Sequence, residues 1–283
     1  MIAQDKIRSM VSLLDDNDWE IYETVRNEII TQGDIALPIL EEMWEQKGFD
    51  SVLQERLEDI ISEIHKIDLE KRLVACKLPE TSLFDGLYAI NRYQYPDVEY
   101  QELYGQLEEM ANTLRENIYP NARIKDKLAM VNEFFFNKWG FRGNKQNLSS
   151  PQNSFLTDVL NNRKGNPLLL CSIYYMLCDW IDIPVVAINF PRYFILGVYN
   201  PTTDTEDFPD YYLDVFGRGT ILSEYDLNKF LVGINLNFEP NFLMPCSNLD
   251  IIKRCLNNLH HSYHLQGVSD KKEEIHRLRK LLE

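Results

Sequence analysis

Apolar and polar residues alternate with different periods in different parts of the chain. From Ile7 to about Leu73 the spacing is helical throughout. Ile7, Met10, Val11 and Leu14 fall on one face, and Asp15-Asp16-Asn17-Asp18 breaks it with an N-cap signal. Trp19, Tyr22, Val25, Ile29 and Ile30 form a second stripe, stopped at Gly33-Asp34. Leu37, Ile39, Leu40, Met43 and Trp44 form a third, with Pro38 tolerated near its start. Val52, Leu57, Ile60, Ile61 and Ile64 form a fourth. Short antiparallel helices with acidic links predict a HEAT-like helical unit over residues 1–78. His65 stands alone there and reads as a surface or packing residue rather than a ligand.

Around Leu83 the pattern changes. Leu83, Leu87, Ile90 and Tyr93 predict a helix ending before Pro96; Leu103, Leu107, Met110 and Leu114 predict another over Tyr100 to Ile118. Leu128 to Trp139 is strongly apolar and aromatic, whereas Arg142 to Ser150 is polar and reads as irregular. Asn153 to Leu156 opens a short helix through Val159-Leu160. The most distinctive stretch follows: Asn166 as N-cap, Pro167 at the first helical position, then apolar residues on every side from Leu168 to Cys178. Such a helix is sheathed in protein, and this one is too short to cross a bilayer. Val185 to Phe190, Phe194 to Val198, Tyr211 to Val215 and Thr220 to Leu222 read as strands of an antiparallel sheet, with an acidic hairpin loop from Asn200 to Asp210. Helices first and sheet afterwards is an α+β order. Pro240 to Pro245 reads as a linker. Leu249, Ile252, Leu256 and Leu259, a turn at Gln266 to Ser269 and a helix from Glu274 to Leu282 then complete a helical hairpin. The domains expected are 1–78, 79–240 and 241–283.

Composition narrows the partners. The 283 residues carry a net charge of −15, which repels phosphate backbones and anionic lipid, so nucleic acid and membrane surfaces are excluded as partners. Met1 to Met10 lacks a signal-peptide apolar core. The five cysteines, Cys76, Cys171, Cys178, Cys246 and Cys255, lack the spacing of a disulfide framework or zinc site and read as reduced thiols in a cytoplasm. His260, His261 and His264 have no nearby acidic third ligand and read as surface histidines. No cofactor and no metal are expected.

The ordered series Gly140-Phe141-Arg142-Gly143-Asn144, Asn153-Ser154-Phe155-Leu156, Gly165-Asn166-Pro167, Ile183-Pro184, Pro191-Arg192-Tyr193-Phe194 and Leu213-Asp214-Val215-Phe216 resembles the SirB-type transglutaminase-like family of bacteria. The resemblance covers roughly Leu83 to Val232. It implies a core related to papain-like cysteine enzymes, and a tetratricopeptide-like (TPR-like) character for the C-terminal hairpin.

A transglutaminase core uses a Cys thiolate that attacks an amide carbonyl, a His that carries the proton, and an Asp or Asn that orients the His. The resemblance places the Cys position on Pro167 and the His position on Tyr193; only the third, Asp214, is of the expected type. Pro offers no nucleophile, and a phenol of pKa near 10 is a poor base at neutral pH. Independently, the chain's histidines are His65, His260, His261, His264 and His276, so none lies between Glu80 and Asn241. Cys171, one turn beyond Pro167, is the candidate displaced nucleophile or a small core residue. A Tyr193 hydroxyl to Asp214 hydrogen bond is expected in place of a His–Asp contact, with Arg192 as a rival partner for Asp214 or a filler of the cleft. Asn144, Asn153 and Asn166 are candidates for loop-bracing hydrogen bonds or, alternatively, cleft contacts. A purely structural subunit, whose sheet edge or helices form an oligomer, is one of three functions; two others follow. One is a non-catalytic module that binds a protein or peptide, or acts as a scaffold. The other is a cysteine-dependent amidase, peptidase or transglutaminase that uses Cys171 with an unusual base.

Overall fold

The computed structural model describes residues 2–16, 18–45, 51–199 and 208–283. Two units are separately compact, Met1–Arg72 and Leu73–Glu283. The first holds helices α1 (Ile2–Val11), α2 (Trp19–Gln32), α3 (Leu37–Glu45) and most of α4 (Ser51–Ala75). Its core is Ile7, Val11, Leu14, Ile29, Leu40, Leu57 and Ile60, the stripes read from periodicity. Three stripe residues depart from that reading. Trp19 is exposed and lies against Tyr22 with ring centroids 5.2 Å apart. Trp44 is exposed because its indole N–H donates to Glu58 Oε1 at 3.0 Å, a partner the core would deny it. Val52 faces out and Leu53 takes its place, in helical spacing with Leu57, Ile60 and Ile64. Asn17, within the expected break, lies outside the described residues, and Asp18 caps α2 by accepting from Glu20 N–H.

The second unit opens with α5 (Leu83–Arg92), fixed by a Ser82–Asp85 capping box, and α6 (Tyr100–Asn117). Next, α7 (Ile124–Asn132) runs on into a π-helical turn, Glu133–Lys138, that buries Phe134, Phe135 and Phe136. The stretch read as irregular is not wholly so. β1 (Arg142–Gly143) pairs in parallel with β2 (Lys164–Gly165), on either side of α8 (Leu156–Asn162). A two-residue pairing has no period to read.

Helix α9 (Pro167–Asp179) is the centre of the unit. It packs against α5, α6 and α8, against the sheet, and against α11 (Asn248–Gln266). Leu169, Leu170, Cys171, Ile173, Tyr174, Leu177 and Cys178 have no exposed surface. The buried Tyr174 hydroxyl donates to Asn132 Oδ1 at 2.9 Å, which satisfies the one polar group such a core could least leave unpaired.

The sheet is an antiparallel meander in the order β3 (Val185–Ile188), β4 (Ile195–Val198), β5 (Tyr211–Asp214) and β6 (Thr220–Leu222). Of the expected acidic loop, residues 200–207 lie outside the described residues. Helix α10 (Glu224–Gly233), not read from the sequence, packs Leu227 and Leu231 with Ile188, Ile195 and Tyr212 of the sheet. The stretch read as a linker is instead a strap over the free edge of β3. Leu243 is buried, Pro245 bridges to Ile188, and Cys246 N–H donates to Ala187 O at 2.9 Å. Beyond it α11 turns at Gly267, whose φ of 72° suits glycine, into α12 (Ser269–Lys280), which begins earlier than the sequence suggested.

Gly143 shows how tightly the site region is packed. A Cβ there would lie 2.3 Å from Cε2 of Phe216. Gly143→Ala is expected to destabilise the chain by about 1–3 kcal/mol. Gly105→Ala, where a Cβ meets nothing within 4 Å, should stabilise helix α6 by about 0.5–1 kcal/mol. Urea unfolding of the two variants checks the pair, and equal midpoints would contradict the packing described.

Candidate functional site: the start of the buried helix and the Tyr193–Asp214 pair

The first turn of any α-helix leaves N–H groups without intrahelical partners. At α9 the protein supplies substitutes, because water has little access. Asn166, 6% exposed, accepts from Leu169 N–H through Oδ1 at 2.9 Å and donates through Nδ2 to Ser154 Oγ at 2.8 Å. Pro167 removes a further donor. Asn153, also buried, donates to the carbonyls of Asn147 at 2.7 Å and Leu148 at 3.2 Å, and its Oδ1 accepts from Asn144 Nδ2 at 2.9 Å. The three asparagines therefore brace loop 144–153 and the start of α9 against each other.

Tyr193 lies two residues before β4 and Asp214 ends β5. The phenol donates to Asp214 Oδ1 at 2.8 Å. The same oxygen accepts the Gly217 N–H at 2.7 Å, and Gly219 N–H donates to the Asp214 carbonyl at 2.8 Å. Only glycine fits at 217, since a Cβ would lie 2.1 Å from Asp214 Oδ2. Arg192 does not compete for the carboxylate; it is exposed at the turn with φ 57°. The Tyr193 ring packs on Phe230 of α10, centroids 5.6 Å apart, so the ring is covered from that side. Burial first, then the hydrogen bond to Asp214, pushes the Tyr193 phenol well above the usual range. It keeps its proton and acts as a donor.

Cys171 has no exposed surface, and its Sγ donates to the Phe194 carbonyl at 3.4 Å. Burial, and next the charge of Asp214, push its thiol well above the ordinary value, opposite to the direction a reactive thiolate needs. Cys178 is equally sealed and is shifted the same way by burial, with Asp179 second. Among the described residues the histidines of α11 do not converge with further ligands. His260 instead packs 6.0 Å from the ring of His276, and burial and neighbouring cations lower its pKa.

Pro167 thus opens the buried helix, Tyr193 lies in the turn just before β4, and Asp214 ends the neighbouring strand β5. Residues 101–257 match the transglutaminase-like superfamily, and the chain belongs to it.

Among relatives, a UPF0162 protein of Vibrio cholerae is 28% identical over 180 residues, 62% of this chain and 63% of that protein. One from Xylella fastidiosa (strain 9a5c) is 30% identical over 182 residues, 62% of each chain. The UPF0162 protein YchA of Escherichia coli K12 is 25% identical over 169 residues, 58% of this chain and 60% of that one. The chain therefore matches less than two thirds of these relatives' lengths. No solved structure matches.

Removing the phenol hydroxyl tests the pair. Tyr193→Phe is expected to cost about 1–2 kcal/mol near neutral pH. The folded phenol holds its proton to higher pH than the unfolded one, with a pKa of about 10, so its contribution is whole below that pH and is lost as pH rises above it. Above about pH 10 the wild type should lose stability more steeply than the variant, by about 1.4 kcal/mol per pH unit. Urea midpoints of both proteins across this range measure the difference, and parallel curves would remove the assignment.

Proposed function

We propose that this protein is a non-catalytic, SirB-type member of the superfamily that works by binding a protein or peptide. The observation that carries the reading is the 2.8 Å Tyr193–Asp214 hydrogen bond: a protonated phenol occupies the place of the proton acceptor. The other requirements of acyl transfer fail in step with it. Pro167 has no nucleophilic atom, and the thiol in the core, Cys171, is sealed and hard to ionise.

On β6 and α10, the helix whose Phe230 covers Tyr193, large apolar side chains are exposed. Ile221 of β6 and Tyr225 and Val232 of α10 are 51%, 74% and 67% exposed. Tyr225 and Val232 are seven residues apart and share one face of the helix. Exposed apolar groups clustered beside a site mark contact surfaces more often than scattered ones do, and we assign the peptide contact to this face. In the same reading the α11–α12 hairpin is a single tetratricopeptide-like unit docked on the core. The unpaired cysteines suit a reducing cytoplasm, and among the described residues no helix is long and apolar enough to cross a membrane.

Two measurements test the proposal. Incubated folded with iodoacetamide and with a glutamine-amide substrate, the chain is expected to show no adduct on Cys171 and no amide turnover. Rapid native labelling of Cys171, with turnover abolished by Cys171→Ala, would make it an enzyme. Peptides selected from a random library on the folded chain should bind at least about tenfold more weakly to Val232→Asp, a loss of about 1.4 kcal/mol. Failure to enrich any peptide, or binding indifferent to this face, would remove the binding role.

A further inference from the structure

The β1–β2 pair creates a feature that the Tyr193–Asp214 site does not use. Its register sets Arg142 beside Lys164. Register partners project to the same face of a sheet, and like charges held opposite one another are destabilising. The chain has 44 acidic residues against 29 basic ones. Even so, among the described residues neither of these two cations forms an ion pair.

Both line a cavity of about 280 Å³. Its other lining residues, Asn144, Gln152, Asn153, Asp158 and Asn162, are all polar or charged. Asn144 and Asn153 hold each other at 2.9 Å and anchor the loop, so that wall is fixed without engaging either cation. Helix α8 contributes Asp158 and Asn162, four residues apart and so on one face. Asp158 Oδ2 accepts from the Tyr95 hydroxyl at 2.8 Å. Burial raises its pKa, with only that hydroxyl pulling it down. Among the described residues no ion pair joins it to Arg142 or Lys164.

We propose that this cavity binds a small phosphate monoester that also carries hydroxyl groups. Adjacent Arg and Lys side chains match a phosphate dianion through charge-assisted hydrogen bonds. The Asp158 carboxylate and the Asn144 carbonyl oxygen, whose amide nitrogen is already engaged, call for hydroxyl donors, and the Asn162 amide can accept from or donate to a hydroxyl. The α8 wall takes the hydroxyls and the strand pair takes the phosphate. The lining residues are polar or charged, so specificity rests on hydrogen bonds and charge. The volume lies just below the usual range for small-molecule pockets, roughly 300–1,000 Å³, and fits a phosphate on a body of a few carbons. This site is separate from the peptide surface, and neither proposal needs the other.

Calorimetric titration of the full chain tests it, with glycerol 3-phosphate, inorganic phosphate, glycerol and glycerate as probes. Glycerol 3-phosphate is expected to bind at least about tenfold more tightly than inorganic phosphate, and neither glycerol nor glycerate should bind measurably. Arg142→Gln and Lys164→Gln should each weaken it about tenfold, while Lys145→Gln, which lies outside the cavity, should leave it unchanged. Asp158→Asn should narrow the gap between the two phosphates. Arg142 is exposed, so an unshifted thermal midpoint in Arg142→Gln separates lost binding from unfolding. The proposal fails if neither phosphate compound releases heat, or if both cation variants bind as the wild type does. It also fails if glycerate or inorganic phosphate binds as tightly as glycerol 3-phosphate.

Discussion

A helix enclosed by protein on every side has to satisfy its own first turn, and that constraint organises the larger unit. Water cannot supply the acceptors at the start of α9, so Asn166 caps it, Pro167 deletes a donor and Ser154 holds the cap in place. Asn153 and Asn144 extend the brace outward, so the preceding loop and α8 are tied to the same point. The positive end of a helix dipole is also where a transglutaminase-type core would lower the pKa of a thiol. Here that end is closed by an imino acid and an amide.

The Tyr193–Asp214 pair is a second fixed point of the same unit. A histidine against a carboxylate can take a proton and return it. A buried phenol against the same carboxylate holds its proton and ties the turn before β4 to the end of β5. Asp214 also organises the turn behind it through Gly217 and Gly219. The close packing continues into neighbouring elements. A Cβ on Gly219 would meet Asn132, the partner of Tyr174, at 2.3 Å, and the Phe216 ring fills the space over Gly143. The region around Tyr193 and Asp214 is packed as a structural joint.

Much of this was legible in the residues alone. The capped, all-round apolar helix, the strands of the meander and the asparagine brace rest on local signals: a cap before a Pro, alternation along a strand, a short polar side chain in a loop; the Tyr193–Asp214 contact was legible only through the family resemblance. The lack of histidine between Glu80 and Asn241 needed only counting. Tertiary structure decided the rest, because the deciding contacts join residues far apart in the chain. The thiol of Cys171 meets the Phe194 carbonyl just before β4, and the outward turn of Trp44 depends on Glu58. The strap at 240–246 has meaning only because β3 has a free edge to cover. The juxtaposition of Arg142 and Lys164 comes from a pairing two residues long, too short to leave any period in the sequence.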